Sequence, residues 1–476
     1  MAALLGKRFF AAVILIISVI LGELYVLTLR WETKAIIFRA HYVLLIETVL
    51  LILSSFVWRN FRTLFKSNVC AHDQSHVAES QIHDHADFID NKHLKHNSHR
   101  HSDVKIVDNR ASGINGTVLH KDWHVWKKVL FCYLFLCHIS YFTNLLFIGK
   151  DPYLMVMICY GALGSLFQLV TGMCFIKLVG FLNKYILKRH FCLSTKYKLT
   201  LAVVYSLLAS SYGLYNATLP PTIKTVPISV KGLPENLEGL TIVQLSDIHL
   251  GPTVGRHKMQ QIVDLVNQLN ADILVLTGDL VDGSVARLKQ AAEPLINIQA
   301  KHGKYFISGN HEYYTGDVDN WFDYLRTLGF TVLHNSNVKL PSNIDARQQI
   351  CLAGTDDLQA EKIGYGNHGM HLEKALGTCL PNQPAILLAH QPKAAKIALD
   401  SKYRVDLVIS GHTHGGQMFP FMIPAYLINP FYAGLYKYGK DSHVYVSMGT
   451  QYWGIPMRIL TTMEITQLIM TRKILK

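Results

Sequence analysis

The sequence predicts a multi-span α-helical membrane region followed by an α/β domain. Three observations carry this. Apolar segments close to the ~20 residues of a bilayer crossing crowd the first 219 residues. Beyond about residue 240, apolar runs of five or six residues alternate with amphipathic stretches, the pattern of buried strands and covering helices. Five short motifs rich in His and Asp each follow the end of such a run, the edge at which open α/β sheets bind ligands.

Five membrane segments are expected, at 9–29, 40–58, 129–149, 153–176 and 199–219. Lys7 and Arg8 precede the first, and no small-residue cleavage site follows it, so it reads as an uncleaved anchor rather than a signal peptide. Glu23, Glu47 and His138 lie inside these segments and are expected to face neighbouring helices. The loop 59–128 holds ten histidines, eight of them between His72 and His101. Its composition does not build a core, and it is expected to be disordered. Loose capture of metal by imidazole is the functional alternative there, without a fixed ligand spacing to support it.

Residues 1–229 carry 24 Lys and Arg against 12 Asp and Glu, while residues 230–476 carry 22 against 21. The basic excess therefore sits beside the apolar segments, facing a membrane surface, and argues against a nucleic-acid partner for the C-terminal half. Flanking charge also orients the chain. With five crossings, the side holding the N-terminus, the histidine-rich loop and the loop after segment four has 14 flanking Lys and Arg against 6 opposite. The richer side is expected to be cytoplasmic, which delivers the C-terminal domain to the lumen or exterior. Eight cysteines, six of them in the N-terminal half, form no CxxC pair and indicate neither a disulfide scaffold nor a thiolate zinc site.

After the fifth segment, "TLPPTIKTVPIS" reads as an extended exit, and residues 220–239 as a linker. From 240 to 476, "LTIVQLS", "DILVLTG", "KYFISG", "AILLAH", "DLVISG" and "VYVSMG" read as strands and "HKMQQIVDLVNQLN" as a helix. The motifs follow in order. "VQLSDIHLG" supplies Asp247 and His249, "VLTGDLVDG" Asp279 and Asp282, "FISGNHE" Asn310, His311 and Glu312, "LLAHQP" His390, and "VISGHTHGG" His412 and His414. One such motif is commonly a turn or a helix cap. Five together, mixing carboxylates, imidazoles and an amide, suit divalent cations such as Mn²⁺, Fe²⁺ or Zn²⁺. Seven donors exceed one tetrahedral site but fit two cations that share a carboxylate, a device for phosphoester hydrolysis.

The ordered set D-x-H, G-D-x-x-D, G-N-H-E, H and G-H-x-H, complete between Asp247 and His414, resembles the calcineurin-like metallophosphoesterase superfamily. The resemblance implies a four-layer α/β/β/α sandwich of two mixed sheets. It implies one metal held by Asp247, His249, Asp279 and His414, and another by Asp279, Asn310, His390 and His412. A metal-bridging hydroxide would be the nucleophile. His311 would be a general acid at the leaving oxygen, oriented by Asp282. Glu312 is expected to cap or support. Protein phosphatases of this superfamily follow the second motif with arginine, whereas this chain has Gly283 and Ser284, so a phosphoprotein substrate is disfavoured. Arg458, in "GIPMR", either takes over the grip on phosphate or makes a structural ion pair.

The expected function is that of a membrane-anchored enzyme, a phosphoric ester hydrolase using two divalent cations, with a phosphodiester as substrate and a membrane-near source for it. The alternative is a multi-span divalent-metal transporter whose soluble domain regulates it. No transporter repeat is visible and the span count is odd. A binding protein without catalysis is disfavoured by the complete ligand set.

Overall fold

The structure, a computed structural model, describes residues 33, 37, 40–63, 111–149, 153–188, 193–342 and 344–472, with side chains of 111–123 outside the description. The predicted first membrane segment, 9–29, lies outside the described residues, as does 64–110 of the histidine-rich loop. Among the described residues, three helices are long and apolar enough to cross a membrane: Ala40–Thr63, His124–Phe147 and Leu154–Tyr185. They occupy the predicted second, third and fourth segments. The predicted fifth segment also folds as a helix, Thr195–Thr218, but is not among those three. Ser206, Ser210, Ser211, Tyr212 and Tyr215 dilute its apolar content.

The expectation of disorder across 59–128 is corrected at both ends. Residues 59–63 continue the helix Ala40–Thr63, and 111–128 belong to the helix Ala111–Phe147. Val118, Leu119, Val125 and Trp126 extend the apolar pattern of the following span back into that region.

The chain divides into two compact units. One comprises Thr48–His138 and Leu166–Leu207. Within it, His138 Nε2 lies 3.1 Å from Ser54 Oγ on the neighbouring helix, and Tyr205 donates to Gln168 at 3.1 Å. The other joins Met1–Glu47 and Ile139–Ser165 to Leu208–Lys476.

The second unit holds two six-stranded sheets. In one, the order is β1 (Thr222–Val230), β12 (Glu464–Arg472), β2 (Thr241–Leu245), β3 (Ile273–Thr277), β4 (Lys304–Ile307) and β5 (Phe330–Val332). In the other it is β10 (Gly434–Tyr438), β11 (Ser442–Val446), β9 (Leu407–Ser410), β8 (Ala385–Leu388), β7 (Ile350–Gly354) and β6 (Ser336–Leu340). Each sheet is mixed: β12 runs antiparallel to β2, β10 to β11 and β6 to β7, and the other pairs are parallel.

The inner faces meet in one apolar layer, with Ile242, Ile273 and Val275 from the first sheet against Leu352, Ile386 and Ile409 from the second. The outer faces are covered by helices. Arg256–Asn267 turns Met259, Ile262, Val263 and Val266 inward at helical spacing, and Pro392–Leu399 covers the second sheet with Ala394, Ala395 and Ala398. This is the expected four-layer sandwich. Strands covered on both faces explain why their sequences are apolar throughout rather than alternating.

The expected linker 220–239 is corrected. It contains β1, which pairs in parallel with β12 along its whole length, so the folded domain begins at Thr222 rather than 240. Val226, Ile228 and Val230 point inward at a spacing of two. Pro227 is tolerated because β1 is an edge strand. A disulfide joins Cys351 of β7 to Cys379, with a Cα separation of 5.8 Å. The cysteine spacing did not point to it.

Leu352→Ala should destabilise the full chain by about 2–5 kcal/mol, the range for emptying a buried leucine site. Thermal unfolding in detergent is the check, and an unchanged midpoint would contradict the placement of Leu352 between the sheets.

Candidate metal centre

All five motifs leave the C-terminal ends of parallel strands. Asp247 and His249 follow β2, Asp279 and Asp282 follow β3, and Asn310 and His311 open the short helix after β4. His390 follows β8, and His412 and His414 follow β9. Both sheets thus bring donors to one edge. The chain must reverse sharply to do so. Asp247, His249, Asp279, His412 and His414 all take positive φ, between 50° and 73°. Such backbone costs roughly 1–3 kcal/mol per residue and persists only where the surroundings impose it.

Two clusters result. In the first, the Nε2 atoms of His249 and His414 are 3.0 Å apart, and His414 Nε2 lies 3.4 Å from Asp247 Oδ1. In the second, Asp279, His390 and His412 offer ligand atoms within 4.8 Å of one another, with His390 Nε2 3.1 Å from Asp279 Oδ2. The same Asp279 Oδ2 lies 3.8 Å from His249 Nε2, so Asp279 stands between the clusters. Six of the seven donors expected from the sequence lie in these two clusters, and Asn310 precedes His311, whose N–H donates to Asp279 Oδ1 at 2.8 Å.

The donor set fits divalent cations. Asn310 Oδ1 is buried and has no hydrogen-bond partner in the protein, and buried His390 Nε2 faces Asp279 Oδ2 at 3.1 Å. Leaving an oxygen such as Asn310 Oδ1 unpaired costs about 1–3 kcal/mol, and a cation would remove that cost. His390 Nδ1 is 2.7 Å from the carbonyl of Thr277, which holds Nδ1–H there and turns Nε2 toward Asp279. Burial and the neighbouring His390 push His412 down to about 3, and burial with His249 and Arg458 holds His414 well below the usual range. Both are therefore neutral, the form that binds metal. Burial opposes the charge of both Asp279 and His390. Their pairing overcomes it, holding the carboxyl low and the imidazole high.

Around the donors stands a supporting layer. Asp282 Oδ1 lies 2.9 Å from His249 Nδ1 and 2.8 Å from His311 Nδ1, orienting both rings. Burial works against a charged His311, yet Asp279 and Asp282 push it up to about 9. Glu312 accepts backbone N–H bonds from Gly309, Asp279 and Leu280 at 2.6, 3.0 and 2.8 Å. It is a capping carboxylate, as its position suggested. A side chain at residue 411 would run into Ser246 and Asp247, which explains the first glycine of "GHTHGG".

Arg458 does not reach toward substrate. It is fully buried, donates to the His414 carbonyl at 2.7 Å and to that of Gln451, and lies 3.2 Å from His414 Nδ1. The reading of Arg458 as a phosphate grip is therefore corrected to one of holding His414. Its neighbour in the same loop, Trp453, was missed. Its ring stands 5.3 Å from His311 and 6.2 Å from His249, while Tyr314 stands 5.2 Å from His311. Gln417 fastens this loop to the ligand turn by accepting from Trp453 N at 2.8 Å and donating to Ile455 O at 2.9 Å. No sequence spacing links residues 417 and 453. A further cluster, His334, Asp356 and His368, also went unread. Its carboxylate is already engaged by His334 and Asn335 at 2.7 and 3.0 Å, the arrangement of a structural clamp.

A four-layer sandwich with paired His/Asp/Asn clusters at its strand ends defines a metallophosphoesterase domain. Residues 240–416 match the model of the calcineurin-like phosphoesterase family. The chain is 44% identical over 366 residues to the transmembrane protein with metallophosphoesterase domain of Bos taurus, covering 73% of this chain and 81% of that one. It is 45% identical over 350 residues to the Danio rerio protein of the same name, covering 72% and 80%. An uncharacterised metallophosphoesterase of Bacillus subtilis is 32% identical over 264 residues, which is 54% of this chain and 88% of that protein. The chain belongs to the calcineurin-like phosphoesterase family.

Asp279→Asn should release bound divalent metal from the purified chain, because this carboxylate borders both clusters and is their nearest shared charge. Elemental analysis reads the outcome. Metal content equal to that of the parent would contradict the shared position.

Proposed function

We propose that the chain is a membrane-anchored phosphoesterase acting on a phosphodiester with two divalent cations. The observation that carries this is the position of Asp279 between two clusters of largely buried Asp and His donors. Asp247, His249, Asp279 and His414 would hold one cation, and Asp279, Asn310, His390 and His412 the other. Bound there, the cations supply Lewis-acid charge and activate water as the nucleophile. The protein does the rest. Asp282 keeps His311 turned toward the cleft with Nδ1 occupied. The other ring nitrogen of His311 is left to give a proton to the departing oxygen, and its raised pKa keeps that proton in place near neutral pH. Trp453 and Tyr314 wall the cleft beside His311.

The diester reading is supported by what flanks the site. Arg458 is turned to His414, and the second motif continues with Gly283 and Ser284. Neither position offers an arginine to the second negative charge of a monoester.

His311→Ala should lower turnover by ~10²–10⁴-fold on a diester with a poor leaving group, with metal content unchanged. The loss should shrink for an aryl diester, whose leaving group needs little protonation. Equal losses on the two would count against the acid role.

The catalytic domain would lie on the lumenal or exterior face. Flanking charge favours this. A disulfide within the domain suits an oxidising compartment. The turn between the third and fourth segments packs on the domain, through Tyr153 N to Pro252 O at 2.9 Å and Arg287 to Leu145 O at 3.3 Å, as two further crossings require. Protease added to intact cells or sealed vesicles, with a C-terminal tag as readout, tests this. The tag should resist protease from the cytoplasmic side; cleavage there would reverse the topology.

A further inference from the structure

The chain that carries His412 and His414 runs directly into an exposed apolar loop. After Gln417 comes the short helix Met422–Ile428, on which Ile423, Tyr426, Leu427 and Ile428 are 54%, 64%, 74% and 64% exposed. Four large apolar side chains standing in water on one short helix is not the pattern of scattered surface hydrophobics. The loop is held rigidly to the ligand turn: Gly416 sits against Met422, and on the way back Tyr432 donates to Gly415 O at 2.6 Å while Thr413 donates to Tyr432 O at 2.7 Å.

What covers this face follows from its neighbours. Residues 417–419 pair with Ile459, through Ile459 N to Gln417 O and Phe419 N to Ile459 O, both at 3.2 Å. The strip containing Ile459 lies in turn on the apolar helices of its own unit. Ile455 and Met457 contact Gly164, Ile459 contacts Gly213, and Arg458 N donates to Gly213 O at 3.0 Å. On its open side the strip exposes Trp453 and Leu460 by 40% and 68%. The helix Leu154–Tyr185 has 32 residues, about 48 Å at 1.5 Å per residue, which exceeds a ~30 Å hydrocarbon layer by about a dozen residues. The exposed face thus adjoins, through this strip, the N-terminal third of a helix long and apolar enough to cross a membrane. Leu427 and Ile428 share a groove of about 490 Å³ with Lys393, Lys396 and Asp400, the last two paired at 2.8 Å, so the apolar tip is edged by polar groups as at a bilayer interface.

We infer that residues 421–428, with Trp453 and Leu460, seat in the headgroup layer of the bilayer and hold the metal centre at the level of lipid-borne phosphoesters. The seating stands on the surface alone; the substrate class rests on the phosphoesterase reading above.

An environment-sensitive fluorophore at Leu427→Cys in the full chain, reconstituted in nanodiscs, tests the seating. The same label at Asp323→Cys, whose native side chain is 77% exposed, is the reference, and labelled parent chain corrects for native cysteines. Nitroxide-bearing lipids should quench position 427 and spare 323, with iodide doing the reverse. Equal quenching by iodide overturns the seating. So does protection of 427 from both quenchers, which would mean that protein, such as a second copy, covers it. The double variant Leu427→Ser, Ile428→Ser should fall about tenfold or more on a phosphodiester lipid embedded in the nanodisc and not at all on a soluble aryl phosphodiester, since withdrawing even one leucine-sized side chain from an apolar layer weakens its seating by about that factor. An equal fall on both overturns the substrate class. If the parent hydrolyses neither, the phosphoesterase reading itself fails, and the quenching result still decides the seating.

Discussion

A buried carboxylate needs positive charge, and Asp279 sets that demand for the whole domain. Its side chain is almost fully enclosed, and the charge of Asp279 lies near enough to Asp247 to raise the Asp247 pKa further. Isolated charges in such surroundings cost many kcal/mol unless they are paired or bind metal. Part of the compensation is visible in His390 and in the N–H of His311, which donates to Asp279 Oδ1 at 2.8 Å. The unpartnered Oδ1 of Asn310, the residue before that N–H, marks where the rest is missing from the protein's own groups. The strained backbone of five donors has the same origin, because only sharp reversals at strand ends bring so many polar side chains to one point.

The rest of the domain can be read as support for that point. Two sheets are packed face to face so that β2, β3 and β4 deliver donors from one side and β8 and β9 from the other. The long return through β10, β11 and β12 brings in Arg458 and Gln451, and with them the brace on His414. Gly283, the position at which the family's protein phosphatases keep a phosphate-gripping arginine nearby, instead accommodates Ile148 from the turn between two apolar helices. A side chain there would collide with Ile148, so at this position the chain has given contact with its membrane hairpin the space that a phosphate grip would need.

The chemistry was legible because it is local. Each donor pair sits within a few residues of an apolar run, and strand-end placement follows from periodicity alone. Asp282 and Glu312 were readable for the same reason, being three residues from Asp279 and two from Asn310. What the sequence hid is non-local. β1 was read as a linker because Pro220, Pro221 and Pro227 outweighed an alternation of Val226, Ile228 and Val230, and its partner β12 lies more than two hundred residues away. Arg458 looked free for substrate because nothing in "GIPMR" announces a contact with His414. Trp453 depends on the fold to meet His311, as Cys351 depends on it to meet Cys379. The fifth apolar segment became a helix with too many serines and tyrosines to rank with the other three, since length predicts helix more surely than it predicts depth in a bilayer.

Whether Asp279 joins two cations into one centre is tested most directly by electron paramagnetic resonance of the full chain titrated with Mn²⁺, because ions ~3.5–4 Å apart across a shared carboxylate couple their spins. The isolated-ion six-line spectrum should give way to a broad, exchange-coupled signal as the second equivalent binds. A spectrum that remains that of isolated ions at saturation would contradict a shared centre.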